Sequence, residues 1–123
     1  MTNEEFLKRC TDVVEANLTN PDFKVGTMAY ALAMSHSSLY KRLREVTGMS
    51  VQEFVNDYKI SLSIAKFTAG AGTVRAVAES CGIGDPKHFR TLFRRKTGML
   101  PTEFLAKMNT TDRDAPGGEF SGG

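Results

Sequence analysis

The chain has 123 residues, of which 41% are hydrophobic and 24% are charged, enough for one compact domain or two very small ones sharing a core. No apolar run approaches the roughly 18–20 residues of a membrane-spanning helix, and the N-terminus lacks a signal-peptide pattern. We therefore expect a cytoplasmic protein that makes no membrane contact through this segment. The two cysteines and two histidines are too few and too scattered for a disulfide framework or a zinc site. Ordinary thiols are expected, with no metal and no cofactor.

The net charge of +2 is unevenly distributed along the chain. Residues 25–108 carry 12 lysines and arginines against 6 acidic residues, whereas the two ends together carry 4 against 8. A basic centre between acidic ends favours a nucleic-acid partner. On its own the pattern is weak, because most charged residues simply form a solvated surface.

Apolar spacings of three and four predict a first helix from residue 3 to about residue 18. Its apolar stripe consists of Phe6, Leu7, Cys10, Val13, Val14 and Leu18. The Asn20-Pro21-Asp22 turn ends this helix. A short helix over 25–32 follows, and another over 35–46 begins at Ser35 as its N-cap.

Ser50 caps a long helix that is predicted to reach about Thr68, a length of roughly 25–28 Å at about 1.5 Å per residue. Its predicted apolar stripe consists of Val51, Phe54, Val55, Tyr58, Leu62, Ala65 and Phe67. The Ala-Gly-Ala-Gly sequence at 69–72 breaks it. A further short helix is predicted over 74–81, with Thr73 as its N-cap. No stretch alternates apolar and polar residues long enough to indicate a strand, so the predicted fold is all-α.

The segment 82–98, GIGDPKHFRTLFRRKTG, predicts a helix with two contrasting faces. Asp85 suits its N-cap, Pro86 its first position and Gly98 its end. The apolar back consists of Phe89, Leu92 and Phe93. The opposite face carries Lys87, His88, Arg90, Thr91, Arg94 and Arg95. A short helix with an apolar back and a cationic, hydrogen-bonding front, preceded by a tight turn, has the design of a DNA-reading helix.

The last helix is predicted after Leu100-Pro101, with Phe104, Leu105 and Met108 on its core side. Residues 109–123 contain Gly, Pro, Ser and acidic residues without periodicity. We therefore expect this segment to be a disordered tail or a cloning remnant.

The two halves of the sequence repeat each other. Five residues of 25–34 have similar counterparts 49 positions later, and nine residues of 35–54 have counterparts 50 positions later, from Asp85 to Phe104. The shift of one residue falls in the turn, where insertions are tolerated. Two helix-turn-helix units joined by a long helix explain the repeat. Their second helices can enter successive major grooves, which are about 34 Å apart.

The sequences MAYALAMSHSSLYKRLREVTGMSVQEF and VRAVAESCGIGDPKHFRTLFRRKTGMLPTEF resemble the AraC-type (AraC/XylS) transcription regulators over about residues 6–108. The second is close to the family pattern G-[FI]-x-D-x-x-x-F-x-x-x-F-[KR]-[KR]-x-x-G-x-x-P. The resemblance implies a seven-helix domain over 1–108, with a first lobe at about 4–49, a linker helix at about 50–68 and a second lobe at about 73–108. It also implies the output domain of a bacterial transcription regulator, an activator, with hybrid two-component regulators among the relatives.

The chain departs from the family at two places. Ile83 stands where phenylalanine is usual, a volume change that a core tolerates. Lys59-Ile60-Ser61-Leu62-Ser63 stands where the linker helix usually has Arg-Leu-x-x-Ala. We expect the second change to weaken the contacts of this helix.

Matching the family's positions implies which side chains contact DNA. Base contacts are expected from Ser37, Tyr40, Lys41, Lys87, His88, Arg90 and Thr91. Phosphate contacts are expected from Ser38, Arg42, Arg44, Arg94 and Arg95. Arg90 has the geometry to bind guanine O6 and N7, and Tyr40 has the alternative role of a partly buried packing residue.

Two other function classes were weighed. An enzyme is not expected, because no G-x-S-x-G elbow, HExxH pair, Walker loop or dinucleotide loop occurs and the two histidines lie in different copies of the repeat. A helical protein-interaction module would use its basic faces to dock an acidic partner or RNA polymerase. DNA binding and contact with RNA polymerase are compatible. Strong DNA binding is expected to need dimerisation through regions absent from this sequence.

Overall fold

The computed structural model describes residues 1–70 and 72–108. This part of the chain contains seven helices and no strand, as predicted. The helices are α1 (Asn3–Ala16), α2 (Val25–Ala31), α3 (His36–Thr47), α4 (Val51–Thr68), α5 (Val74–Ser80), α6 (Pro86–Thr97) and α7 (101–108). Their bounds differ from the predicted ones by at most two residues. The tail expected at 109–123 lies outside the described residues.

Side-chain caps begin the helices where the sequence predicts them. The oxygens of four predicted caps each accept a backbone N–H at 3.1 Å. These caps are Ser35, Ser50, Thr73 and Asp85. Thr2 begins α1 through a reciprocal pair of hydrogen bonds with Glu5. Gly48 and Gly98 end α3 and α6 in the left-handed conformation. Local sequence therefore determines where both of these helices begin and end.

The buried side chains form two cores. The first contains Phe6, Cys10, Val14, Met28, Ala29, Leu32, Leu39, Leu43, Val51, Phe54 and Val55. The second contains Ile60, Phe67, Val77, Ala78, Cys81, Ile83, Phe89, Leu92 and Phe93. In the second core the rings of Phe67, Phe93 and Phe104 lie 5.5–6.4 Å apart, within the range of favourable edge contacts. Both cysteines are buried free thiols, and burial raises the pKa of Cys10 to about 11.

Helix α4 contributes to both cores from nearly opposite faces, which corrects the single stripe predicted for it. Ile60 and Phe67 are buried in the second core, whereas Ala65 is exposed and Leu62 only half-buried. Successive residues are about 100° apart around a helix. Ile60 and Phe67 therefore point away from Val51 and the first core. The single stripe was wrong because the helix changes packing partner halfway along its length.

The stretch of α4 that departs from the family pattern is in contact with other parts of the molecule. Ile60 and Ser63 are buried, and the Ser63 hydroxyl donates to the Ile60 carbonyl at 2.7 Å. Lys59 Nζ donates to the Gly82 carbonyl at 3.5 Å, and burial lowers the pKa of Lys59. The expected weakening of these contacts relative to the family stays a prediction.

Besides the second core, contacts near both ends of α6 attach the second helix-turn-helix unit to the rest of the molecule. At the turn before α6, a Cβ built on Gly82 would lie 1.9 Å from the Leu18 carbonyl oxygen, so the turn and the α1–α2 connection are in close backbone contact. Near the other end of α6, Lys96 Nζ lies 2.8 Å from Asp57 Oδ1 of α4. The orientation of α6 therefore depends on attachments at both of its ends.

No helix within residues 1–70 and 72–108 is long and apolar enough to cross a membrane.

Candidate nucleic-acid interface

The α6 helix presents the predicted cationic face to solvent. Phe89, Leu92 and Phe93 are buried on its other side. All six predicted front residues are exposed, namely Lys87, His88, Arg90, Thr91, Arg94 and Arg95. The Thr91 hydroxyl donates to the Lys87 carbonyl at 3.1 Å, which orients it along the helix. Cations in the last turn also suit the negative end of the helix dipole.

Three of these cations are available for an external anion. Among the residues that the structure describes, the side chains of Lys87, Arg90 and Arg94 form no hydrogen bond or ion pair within the protein. Arg90 additionally borders an apolar groove formed by Val74, Pro86 and neighbouring residues. A charged side chain with no internal partner can bind a phosphate or a base edge without first breaking an internal contact.

The α3 helix has the same design with fewer charges. Leu39 and Leu43 are buried. Five of the predicted contact residues of this helix are exposed, namely Ser37, Ser38, Tyr40, Lys41 and Arg44. Tyr40 is 46% exposed, so its ring lies at the surface rather than in the core. The Ser38 hydroxyl accepts from that of the cap Ser35 at 3.0 Å, close to the helix N-terminus.

Arg42 differs from the other predicted contact residues. Its guanidinium lies 4.9 Å from the centre of the Phe6 ring. Nη2 donates to the Met1 carbonyl at 3.1 Å and to Asn3 Oδ1 at 3.4 Å. The structure thus separates Arg42 from the exposed cations and uses it to hold α1 against α3. Its contact with phosphate stays a prediction.

The two helix-turn-helix turns have matching backbone geometry. Met34 N donates to the Ala29 carbonyl at 2.9 Å, and the equivalent bond from Ile83 N to the Ala78 carbonyl has the same length. The turns contain Ala33 with φ +57° and Gly82 with φ +84°. The repeat found in the sequence is therefore a structural repeat, and it presents α3 and α6 in the same way from their respective cores.

Sequence reasoning missed the role of Lys96. Its spacing from Phe89 and Phe93 is that of the apolar face, and its counterpart in α3 is Val46, half-buried against the first core. In the structure Lys96 instead reaches α4 and pairs with Asp57. The signal in the sequence was a cation at a position of the repeat that is otherwise apolar. This signal does not identify the partner of Lys96, because Asp57 is 39 residues away along the chain.

Cations from both α3 and α6 affect the pKa of Glu53. Hydrogen bonds from the Ser50 backbone and hydroxyl hold the pKa of Glu53 below its usual range, and the charges of Arg44 and Arg95 lower this pKa further. Arg44 belongs to α3 and Arg95 to α6. One carboxylate at the start of α4 therefore interacts with cations from both helices.

Comparison with known proteins defines the class. A family model described as "Helix-turn-helix domain" matches residues 28–107, so the chain belongs to this family. Among curated proteins, the chain is 33% identical over 76 residues to the HTH-type transcriptional activator RhaS of Escherichia fergusonii, covering 62% of the chain and 27% of RhaS. It is 22% identical over 102 residues to histidine kinase P4 of Formosa agariphila, covering 83% of the chain and 7% of that protein.

Solved structures agree with this class. A DNA-binding transcriptional dual regulator from Escherichia coli K-12 has a TM-score of 0.73 and 26% identity, with 83% of this chain and 90% of that one covered. The DNA-binding domain of AdpA, solved with a target DNA, has a TM-score of 0.74 and 23% identity, with 90% and 96% covered. The chain is an AraC/XylS-type DNA-binding domain. It spans 7–27% of the length of the two curated relatives.

Proposed function

We propose that residues 1–108 form one domain that binds double-stranded DNA sequence-specifically, with α3 and α6 in successive major grooves. Its parts are a first lobe at about 4–49, a linker helix at about 50–68 and a second lobe at about 73–108. The observation that carries this proposal is the structural repeat, because each copy buries one face of its second helix and exposes the other. Two such helices on one connector can enter successive major grooves, which are about 34 Å apart.

The predicted contact residues divide into two proposed roles. Residues that contact base edges are Ser37, Tyr40, Lys41, Lys87, His88, Arg90 and Thr91. Residues that contact phosphates are Ser38, Arg42, Arg44, Arg94 and Arg95. Phosphate neutralisation provides most of the affinity, and base contacts provide the specificity. Because α6 carries more cations and α3 more hydroxyls, α6 contributes more to affinity and α3 more to sequence choice.

We also propose that the domain is the output part of a longer cytoplasmic protein. RhaS is named a transcriptional activator, which supports activation, and with it contact to RNA polymerase. The similarity to a histidine kinase supports a link to two-component signalling. The chain covers 27% of RhaS, which leaves room in such a protein for a sensory region and for dimerisation.

Replacement of Arg90 by alanine tests the site. We expect Arg90→Ala to weaken binding to a DNA sequence selected from a random pool by about 1–3 kcal/mol. Thermal unfolding should be unchanged because Arg90 is exposed. Fluorescence anisotropy of labelled duplexes gives the affinity, and circular dichroism gives the melting temperature.

The matched control is Lys8→Ala, which removes one positive charge from the exposed face of α1. We expect it to leave the ratio of specific to non-specific affinity unchanged. An Arg90→Ala variant that melts at the parent temperature and binds the selected DNA as tightly as the parent would contradict the assignment. If heparin competes as well as every DNA sequence, the protein-interaction alternative is favoured instead.

A further inference from the structure

The C-terminal half of α6 and the middle of α4 form an inter-lobe cleft. Of its charged residues, Arg95 is a proposed phosphate contact, whereas Lys96 and Asp57 are not. Apolar side chains line part of it, among them Met49, Ile60 and Leu92. Charged side chains line the rest, namely Glu53 and Asp57 from α4 and Arg95 and Lys96 from α6. The cleft thus brings two carboxylates of one helix opposite two cations of the other.

The Lys96–Asp57 contact is specific to this junction. Its atoms lie 2.8 Å apart, and the two side chains are 35% and 40% exposed. The position of Lys96 in the repeat is occupied in α3 by Val46, which packs on the first core. Both α3 and α6 pack against α4, but of the two only α6 carries a cation at this position, and its side chain pairs with an α4 carboxylate.

The Lys96–Asp57 pair restrains the orientation of α6 relative to α4. Another inter-lobe contact lies before α6 begins, where Gly82 meets the Leu18 carbonyl and accepts from Lys59. Phe89, Leu92 and Phe93 fix α6 in the second core, and the Lys96–Asp57 contact adds a restraint on how far the last turn of α6, which has no buried residue, can swing relative to α4. Because α4 also packs against α3, such a swing would change the distance between the two reading helices.

We propose that Lys96 and Asp57 are positioning residues that set the spacing between the two DNA segments read by α3 and α6. This inference rests on the proposed function of the two helices. Glu53, in the first turn of α4, lines the same cleft as Arg95 of α6. Neither Lys96 nor Asp57 contacts DNA in this account.

The test is a double-mutant cycle with Asp57→Asn and Lys96→Met. For each variant, affinity is measured for a selected DNA site and for the same site with one base pair added or removed between the two contacted segments. We expect each single variant to reduce the discrimination between these spacings by about two- to five-fold, the range for a half-exposed ion pair. The double variant should show no further reduction, and Lys96→Arg should retain the parent's discrimination.

This readout separates positioning from simple electrostatics. Asp57→Asn removes a negative charge and Lys96→Met removes a positive one, so the two variants change the non-specific attraction to DNA in opposite directions. Loss of positioning instead reduces the discrimination between spacings in both variants. Asp12→Asn, at an exposed pair on α1, is the charge-matched control. Unchanged discrimination in both single variants, with the parent still preferring one spacing, overturns this inference alone. A parent that prefers no DNA sequence overturns the proposed function as well.

Discussion

Gly82 and Ala33 occupy equivalent turns but tolerate substitution differently. Both have positive φ, at +84° and +57°, where side chains with a Cβ are strained. A Cβ at Gly82 would also collide with the Leu18 carbonyl at 1.9 Å. The second turn is in close contact with another part of the backbone, so glycine is required there for two independent reasons.

We predict that Gly82→Ala lowers the free energy of unfolding by at least about 3 kcal/mol, from backbone strain and the forced shift of the Leu18 connection. Ala33→Gly is the matched control. It should be neutral or stabilise the protein by up to about 1 kcal/mol, because relief of strain is offset by a more flexible unfolded chain. Chemical denaturation of both variants measures this. A Gly82→Ala variant as stable as the parent would show that the turn and the connection are not in contact.

At the scale of single residues, caps and turns could be predicted because their causes are local. Ser35 and Asp85 act within their own helices. Arg42 and Lys96 could not be predicted, since each is oriented by a partner about 40 residues away. Exposure of the proposed contact residues followed from helical periodicity. Their contact with DNA remains a prediction.

Among the elements, α4 combines two packing surfaces in one helix. Its first part is buried against the first core and its second part, on the opposite side, against the second. Sequence periodicity predicted its bounds well but assumed one continuous face. That assumption fails wherever a helix changes neighbours. The buried Ser63 also made the second stripe harder to recognise, because a serine is not counted as an apolar position.

We predict different effects on stability for substitutions on the two faces of α4. Ile60→Ala should destabilise the protein by about 2–5 kcal/mol, because it leaves a cavity in the second core. Ala65→Ser should change stability by no more than about 0.5 kcal/mol, since Ala65 is exposed. Equilibrium unfolding in urea measures both. Equal and small effects of the two substitutions would restore the single-stripe description of α4.

For the whole molecule, the arrangement explains how a small domain reads an extended DNA surface. Each core holds one reading helix, and α4 with the contacts at Gly82 and Lys96 holds the cores together. The all-α class and the repeat were readable from the sequence, because both follow from residue spacing. The inter-lobe contacts were not, since they depend on how the two copies meet.

The central claim is that α3 and α6 bind successive major grooves of one DNA duplex. The most direct measurement is the affinity of the domain for a selected site with about five base pairs, half a helical turn, inserted between the two contacted segments. The same insertion placed outside those segments is the control. We predict that the internal insertion weakens binding at least about ten-fold, because one helix loses its base contacts, and that the external insertion has no effect. Equal affinity for both would contradict the account.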